Sequence, residues 1–449
     1  MIRSADSIRS LLTVRLDRVY LTCFVLFLIT YCCMSLAFDK FRFSLVLLYA
    51  LLALLTVAHH LACDEPYRGS FNTINATFAF VYLLWFCLAV YHGNELIYIF
   101  QDSVGFLFYL AYAPLAFILI RFAPLSFYDS LICHIGLAVC VLHALVYGLY
   151  YFAMGTGDLA YDDLVIFNTM LSSSGFTGRL GASGGLLRID LGLGQLLIIP
   201  LAITVKNLIK AEKIFASKSQ LCVALVLIAG AILDGHRSLL ITMAFALSLV
   251  VLLSVVFSQI SLSRVLNFTA IMVLSTIALL SAATLLGAFD VNMLVERMST
   301  LFAFDKDDIS NEPRLEQIPA LLNKIGERPL MGSGFGSHAE VLRNDLRPFM
   351  YEVDYLAVVM KLGIIGTILY VGAYVAVLMK GYKLLGRHFD RGVPYVSAGA
   401  AYLFYMGTNG GFAMSLFSTL FHVMIMLGIT NSFRVGGASR DRAARLAHS

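Results

Sequence analysis

Long apolar runs, separated by short polar stretches, recur along this chain from about residue 19 to residue 433. A helix needs roughly 20 apolar residues to cross the hydrocarbon of a bilayer. Runs of that order fall at 19–38, 43–62, 74–92, 104–124, 130–153, 191–209, 219–234, 238–258, 265–287, 353–379, 393–410 and 414–433. They predict an all-α polytopic membrane protein with about twelve transmembrane helices. The runs at 219–234 and 238–258 are parted only by Asp234-Gly235-His236-Arg237. Charge enters hydrocarbon at a high cost, so this tetrapeptide predicts a tight hairpin at a membrane face.

Two connections are long, residues 154–190 and residues 288–352. The second far exceeds the loops that usually join packed helices. It carries a helix signal: Asn311 can cap, Pro313 suits a first turn, and Leu315, Ile318, Leu321, Leu322 and Ile325 recur at helical spacing before Pro329 ends the pattern. A short amphipathic helix lying on the outer face, or closing a cavity beneath it, is expected there.

Composition agrees with the pattern. Of 449 residues, 59% are apolar and 13% charged, against about 45–50% and about 25% in soluble domains. One membrane domain over 1–449 is the simplest organisation, and no internal repeat suggests transporter halves. The net charge of +4 is too small to point to nucleic acid. Eight cysteines lie in or beside apolar segments with no CxxC pair, which argues against a disulfide framework. His59-His60-x-x-Cys63-Asp64-Glu65 reads as a helix end meeting water, without the spacing of a zinc site. The first apolar run has no small-residue cleavage site after it and reads as a span, not a cleaved signal.

Lysine and arginine set the orientation. Clusters at Arg3, Arg9, Arg15 and Arg18, at Lys206, Lys210, Lys213 and Lys218, at Lys380, Lys383, Arg387 and Arg391, and at Arg434, Arg440, Arg442 and Arg445 fall on one side if there are twelve spans. That side is the cytoplasm by the positive-inside rule. Both termini are then cytoplasmic and both long connections face outward.

The outward segments are nonetheless rich in arginine: Arg179, Arg188, Arg237, Arg297, Arg314, Arg328, Arg343 and Arg347. A guanidinium matches phosphate geometry and keeps its charge, so such a set suits an anionic lipid head such as a pyrophosphate. Pairing with Asp305, Asp307, Asp308, Glu312 and Glu316 is the bland alternative. The segment Pro329-Leu330-Met331-Gly332-Ser333-Gly334-Phe335-Gly336 allows a tight turn and close approach to a ligand or a helix. It lacks the Gly-Lys-Ser/Thr ending of a nucleotide loop. Tyr351-Glu352-Val353-Asp354 stands where the next span begins. Carboxylates at a helix start are favoured by the helix dipole, yet Glu352 at the membrane boundary could also take a proton from a sugar hydroxyl. His338 is the rival base.

Taken in order, these elements resemble the O-antigen polymerase and O-antigen ligase superfamily of bacterial envelope enzymes. The matching features are Gly235-His236-Arg237-Ser238, a long outward loop with Arg314, then Arg328-Pro329-Leu330-x-Gly332-x-Gly334-x-Gly336, a polar pair entering a helix, and Gly363-Ile364-Ile365-Gly366. The similarity covers roughly residues 175–370. It implies a GT-C-like helical membrane enzyme of the inner membrane, with its long loops periplasmic. The implied substrate is an undecaprenyl-pyrophosphate-linked glycan, held by arginines without a metal or other cofactor. An acceptor hydroxyl attacks the anomeric carbon and lipid pyrophosphate leaves. The residues so implied are Arg237, Arg314, Arg188, Arg328 and Tyr351 for binding, with Glu352 or His338 as base. Membrane lipid and a chain-length regulator are the other expected partners.

Ligases of this superfamily usually carry His-Asn at the polar pair, where this chain has Tyr351-Glu352, which favours the polymerase branch. A ligase transferring glycan to lipid A-core is the first alternative, and a glycan flippase or transporter the second. Transporters place ionisable groups near the midplane. His134, His143, Lys361 and His422 are candidates for that position here, but they form no ladder along the sequence.

Overall fold

A computed structural model describes residues 19, 21–30, 48, 70–110, 116, 125–154, 161–173, 179–183, 186–190, 193–211, 218–258, 261–285, 312–342, 347–351, 353–406 and 416–432. The elements run α1 Ser70–Tyr91, α2 Leu96–Ser103, α3 Phe106–Leu110, α4 Leu125–Met154, α5 Tyr161–Ser173, β1 Arg179–Ser183, β2 Leu186–Asp190, a 3-10 turn Gly194–Leu197, α6 Ile198–Lys210, α7 Lys218–Asp234, α8 Arg237–Ser258, α9 Leu262–Leu285, α10 Glu312–Glu327, α11 Asp354–Met406 and α12 Leu416–Ser432. They divide between two compact units. One comprises 1–67, 114–243 and 247–297, the other 68–113, 244–246 and 298–449.

Among the described residues, four helical stretches are long and apolar enough to cross a membrane: Thr73–Tyr91, Leu125–Tyr150, Ser238–Phe257 and Asp354–Gly386. Shorter apolar helices cover Ser263–Ala278 and Phe421–Ser432. Large apolar side chains stand exposed along them, Leu274 at 65% and Ile368 at 64%. In water such surfaces would aggregate; in a membrane protein they face lipid. Helices α1, α4, α7, α8, α9 and α12 lie close to the apolar runs at 74–92, 130–153, 219–234, 238–258, 265–287 and 414–433. Of the run at 19–38, residues 19 and 21–30 are described, and of the run at 43–62 only residue 48.

Among the described residues, the departure from an all-α chain is in the 154–190 connection. It contains α5 and an antiparallel hairpin, with Arg179 opposite Asp190 and Ser183 opposite Leu186. In the sequence the two strands are parted by Gly184-Gly185, the kind of pair that tight strand reversals favour. Strands of five residues are too short to stand out in a pattern of apolar runs. The span expected at 191–209 is also shorter than foreseen. It begins as a 3-10 turn, and the 13-residue α6 is buried along nearly its whole length. In that unit α6 packs against α4 and α7. Close approach is possible because a Cβ at Gly136 would lie only 2.6 Å from Pro200 Cγ.

In the other unit, α11 turns back on itself. Tyr355 donates to the Leu403 carbonyl, Tyr374 donates to the Gly399 carbonyl at 3.5 Å, and a Cβ at Gly381 would sit 2.8 Å from Val396. These nested pairs make two antiparallel arms with the reversal near Gly386 and Gly392, between the runs read as 353–379 and 393–410. The first arm packs on α1 and on α10, and α12 lies along the same helical run.

Candidate active site

The glycine segment is a docking device. Gly332, Gly334 and Gly336 all take positive φ, at 72°, 83° and 73°, a region that disfavours any side chain. Each also meets backbone. A Cβ at Gly332 would strike Lys361 and Gly363, at Gly334 it would lie 2.5 Å from Ala89 Cα, and at Gly336 2.7 Å from the Ile99 nitrogen. Of the two partners the motif allows, a ligand or a helix, these three glycines meet helices. Side chains of the same unit hold the turn. Trp85, the chain's sole tryptophan, donates Nε1–H to the Met331 carbonyl at 2.6 Å, and Asn94 Nδ2 donates to the carbonyls of Ser333 and Phe335, both at 2.9 Å.

The turn also completes a break in α11. Gly363 takes φ 63° inside that helix. The carbonyls of Met360 and Lys361 accept from Ser333 and Gly334, both at 2.9 Å. The N–H groups of Ile364 and Ile365 donate to Pro329 and Leu330 at 2.9 and 3.1 Å. Backbone groups freed by an interrupted helix must find partners inside protein, and the glycine turn supplies them.

Beside the break lies a buried ion pair. Lys361 Nζ is 2.6 Å from Asp102 Oδ1, with side-chain exposures of 1% and 2%. The other carboxylate oxygen, Oδ2, accepts from the Gly336 N–H at 2.7 Å. Burial raises the Asp102 carboxyl above its ordinary range, while Lys361 and the Gly336 N–H pull it down. The Lys361 ammonium also stands 5.5 Å from the Phe349 ring centroid.

Following the turn, His338 is exposed. The Ala339 N–H donates to Tyr351 Oη at 2.6 Å. Burial pushes the Tyr351 hydroxyl up, with the Ala339 N–H acting the other way. Leu321 of α10 joins Ala339, Tyr351, Ala357 and Met360 in one apolar cluster, so the amphipathic helix is fastened to the N-terminal end of the α11 arm. This helix spans Glu312–Glu327 and admits Pro319 in its interior. Arg314 is half-buried and Arg328 exposed. Glu352, Arg343, Arg297, Asn311 and residues 59–65 lie outside the described residues.

Arg237 belongs to the other unit. It opens α8 after α7 ends at Asp234 and Gly235 turns with φ 71°, the short link expected at 234–237. Asp234 is buried between two histidines: Oδ1 is 2.5 Å from His236 Nδ1, and Oδ2 is 3.3 Å from His143 Nε2. A Cβ at Gly194 would meet that carboxylate at 2.5 Å, and β2, which carries Arg188, also packs on α7. The carboxylate thus ties the turn before Arg237 to α4.

The four ionisable groups noted within apolar runs all have close partners. His134 meets the Ser130 carbonyl at 2.6 Å, His143 meets Asp234, Lys361 meets Asp102, and His422 meets Tyr109. In the sequence, Asp102 and Asp234 carry no mark of these pairings. The available signal was Lys361 and His143 themselves, since an ionisable group in a span implies a partner. Among the described residues, no group of three His, Cys, Asp or Glu side chains could hold a metal ion.

Comparison with curated proteins gives no match. Residues 222–371, from α7 through α8, α9, α10 and the glycine turn into α11, match the family model described as O-antigen ligase. Residues 222–371 are thus similar to an O-antigen ligase domain, consistent with the O-antigen polymerase and ligase superfamily, in a chain with helices long and apolar enough to cross a membrane.

Proposed function

We propose that the protein polymerises undecaprenyl-pyrophosphate-linked oligosaccharide repeat units at the periplasmic face of the inner membrane, with both termini cytoplasmic. An acceptor hydroxyl forms the new C–O bond at the anomeric carbon while the bond to lipid pyrophosphate breaks. Glu352 takes the hydroxyl proton, and His338 is the second candidate for that role. Arg237 and Arg314 hold the departing pyrophosphate, with Arg188, Arg328 and Tyr351 in supporting contact. Pyrophosphate departs readily when its developing charge meets fixed cations, and guanidinium forks provide them.

The observation that carries this reading is the Ala339–Tyr351 hydrogen bond within the family-matched segment. It joins the residue after His338 to the residue before Glu352, just ahead of a helix long and apolar enough to span a membrane. The polymerase branch is preferred for Tyr351-Glu352 at the pair where ligases carry His-Asn. The ligase reading draws on the description of the matching family. Purified protein given lipid-linked repeat units alone should build a ladder of products on a gel. A single conjugate that forms only when lipid A-core is added would assign the protein as a ligase.

A further inference from the structure

Asp102 stands in α2, outside the family-matched residues 222–371. Its carboxylate is divided between two tasks: Oδ1 on the Lys361 ammonium and Oδ2 on the Gly336 N–H. A buried ion pair is a poor way to gain stability, because desolvating both charges offsets most of their attraction. Apolar side chains would fill such a space as well. A carboxylate offers something they lack, a fixed acceptor for a backbone N–H at the end of the glycine turn. Gly336 precedes His338 by two residues, and Ala339 is tied in turn to Tyr351, the residue before Glu352. The stretch with His338 is therefore held at both ends, by Asp102 at Gly336 and by Tyr351 at Ala339.

We infer that Asp102 is a positioning residue for the transfer reaction: through its hydrogen bond to Gly336 it sets the 336–339 turn, and with it the segments bearing both candidate bases, while Lys361 keeps that carboxylate in place. This rests on the glycan-transfer reading for its catalytic consequence. The anchoring itself is a separate claim about the turn.

Single substitutions would strand one buried charge and could prevent folding, so the test uses neutral pairs. Asp102→Asn with Lys361→Met keeps an acceptor oxygen for Gly336. Asp102→Ala with Lys361→Met has the same charge and no acceptor. Both are compared with the wild type in lipid nanodiscs, by polymer-ladder kinetics and by hydrogen exchange of backbone amides in 334–340. The Asn/Met pair should keep turnover and exchange close to wild type. The Ala/Met pair should exchange faster in 334–340 with α7 and α8 unchanged. Its kcat should fall about 10- to 100-fold, the usual result of displacing a reacting group by an ångström or so, with KM for the lipid-linked donor little altered. Equal exchange in the two pairs overturns the anchoring. Faster exchange with unchanged kcat overturns the catalytic role. Absence of any product from the wild type would instead sink the glycan-transfer reading, and exchange at 334–340 would still decide the anchoring.

Discussion

The phenolic oxygen of Tyr351 accepts the backbone N–H of Ala339 at 2.6 Å, and both residues are buried. Tyr351→Phe keeps the ring in its apolar cluster and removes the hydroxyl that accepts this N–H. An unsatisfied buried N–H costs about 1–3 kcal/mol, so the variant should unfold at a lower temperature in detergent. Its turnover should also fall more than its donor affinity. A Tm equal to that of the wild type would show that the hydroxyl contributes nothing.

Gly334→Ala tests the docking of the glycine turn on α1. A side chain here must accept φ 83° and also displace Ala89. Left-handed backbone alone costs a non-glycine residue about 1–3 kcal/mol, and the backbone contact adds to it. Poor insertion or loss of thermal stability is expected. Gly326→Ala is the control, since nothing lies within 4 Å of a Cβ there; it should behave as wild type.

The arginine roles are tested by Arg237→Ala and Arg314→Ala. Each should lower turnover about 100-fold or more, the scale of losing one charge-stabilising donor, with the protein still inserted. Lysine at either position should rescue only in part, because a point charge cannot reproduce the bidentate fork. Near-normal ladders from both alanine variants would refute the pyrophosphate clamp.

Glu352→Gln preserves shape and hydrogen bonding while removing the basic oxygen. Turnover should drop roughly 10²–10⁴-fold, with lipid-linked substrate binding nearly unchanged. His338→Ala should be much milder. The reverse ranking in the same assay would move the base to His338 and favour the ligase reading.

Orientation can be read by labelling single cysteines from the outer side. A cysteine replacing Glu340 should react with an impermeant reagent, and one replacing Arg440 should not. Labelling at 440, or its absence at 340, would reverse the proposed topology.

What the sequence determined by itself is local. An apolar run of spanning length declares a membrane helix without regard to the rest of the chain, so α1, α4, α8, α9 and the arms of α11 stand close to where the runs predict them. The same holds for the turn at Asp234-Gly235-His236-Arg237 and for the helical spacing that became Glu312–Glu327. What the tertiary structure decided are partnerships between distant residues. Asp102 meets Lys361 across 259 positions and Gly336 across 234, and His143 meets Asp234 across 91. Periodicity contains no information about such pairs, although a charge in an apolar run signals that one exists. The glycine motif shows the division most plainly: its spacing announced close approach, and only the packing of Gly332, Gly334 and Gly336 on Lys361, Ala89 and Ile99 identified what is approached. The reason is physical. Backbone geometry and apolar periodicity act over a few residues, whereas burial of a charge or an N–H is satisfied by whichever group the fold brings within hydrogen-bonding distance.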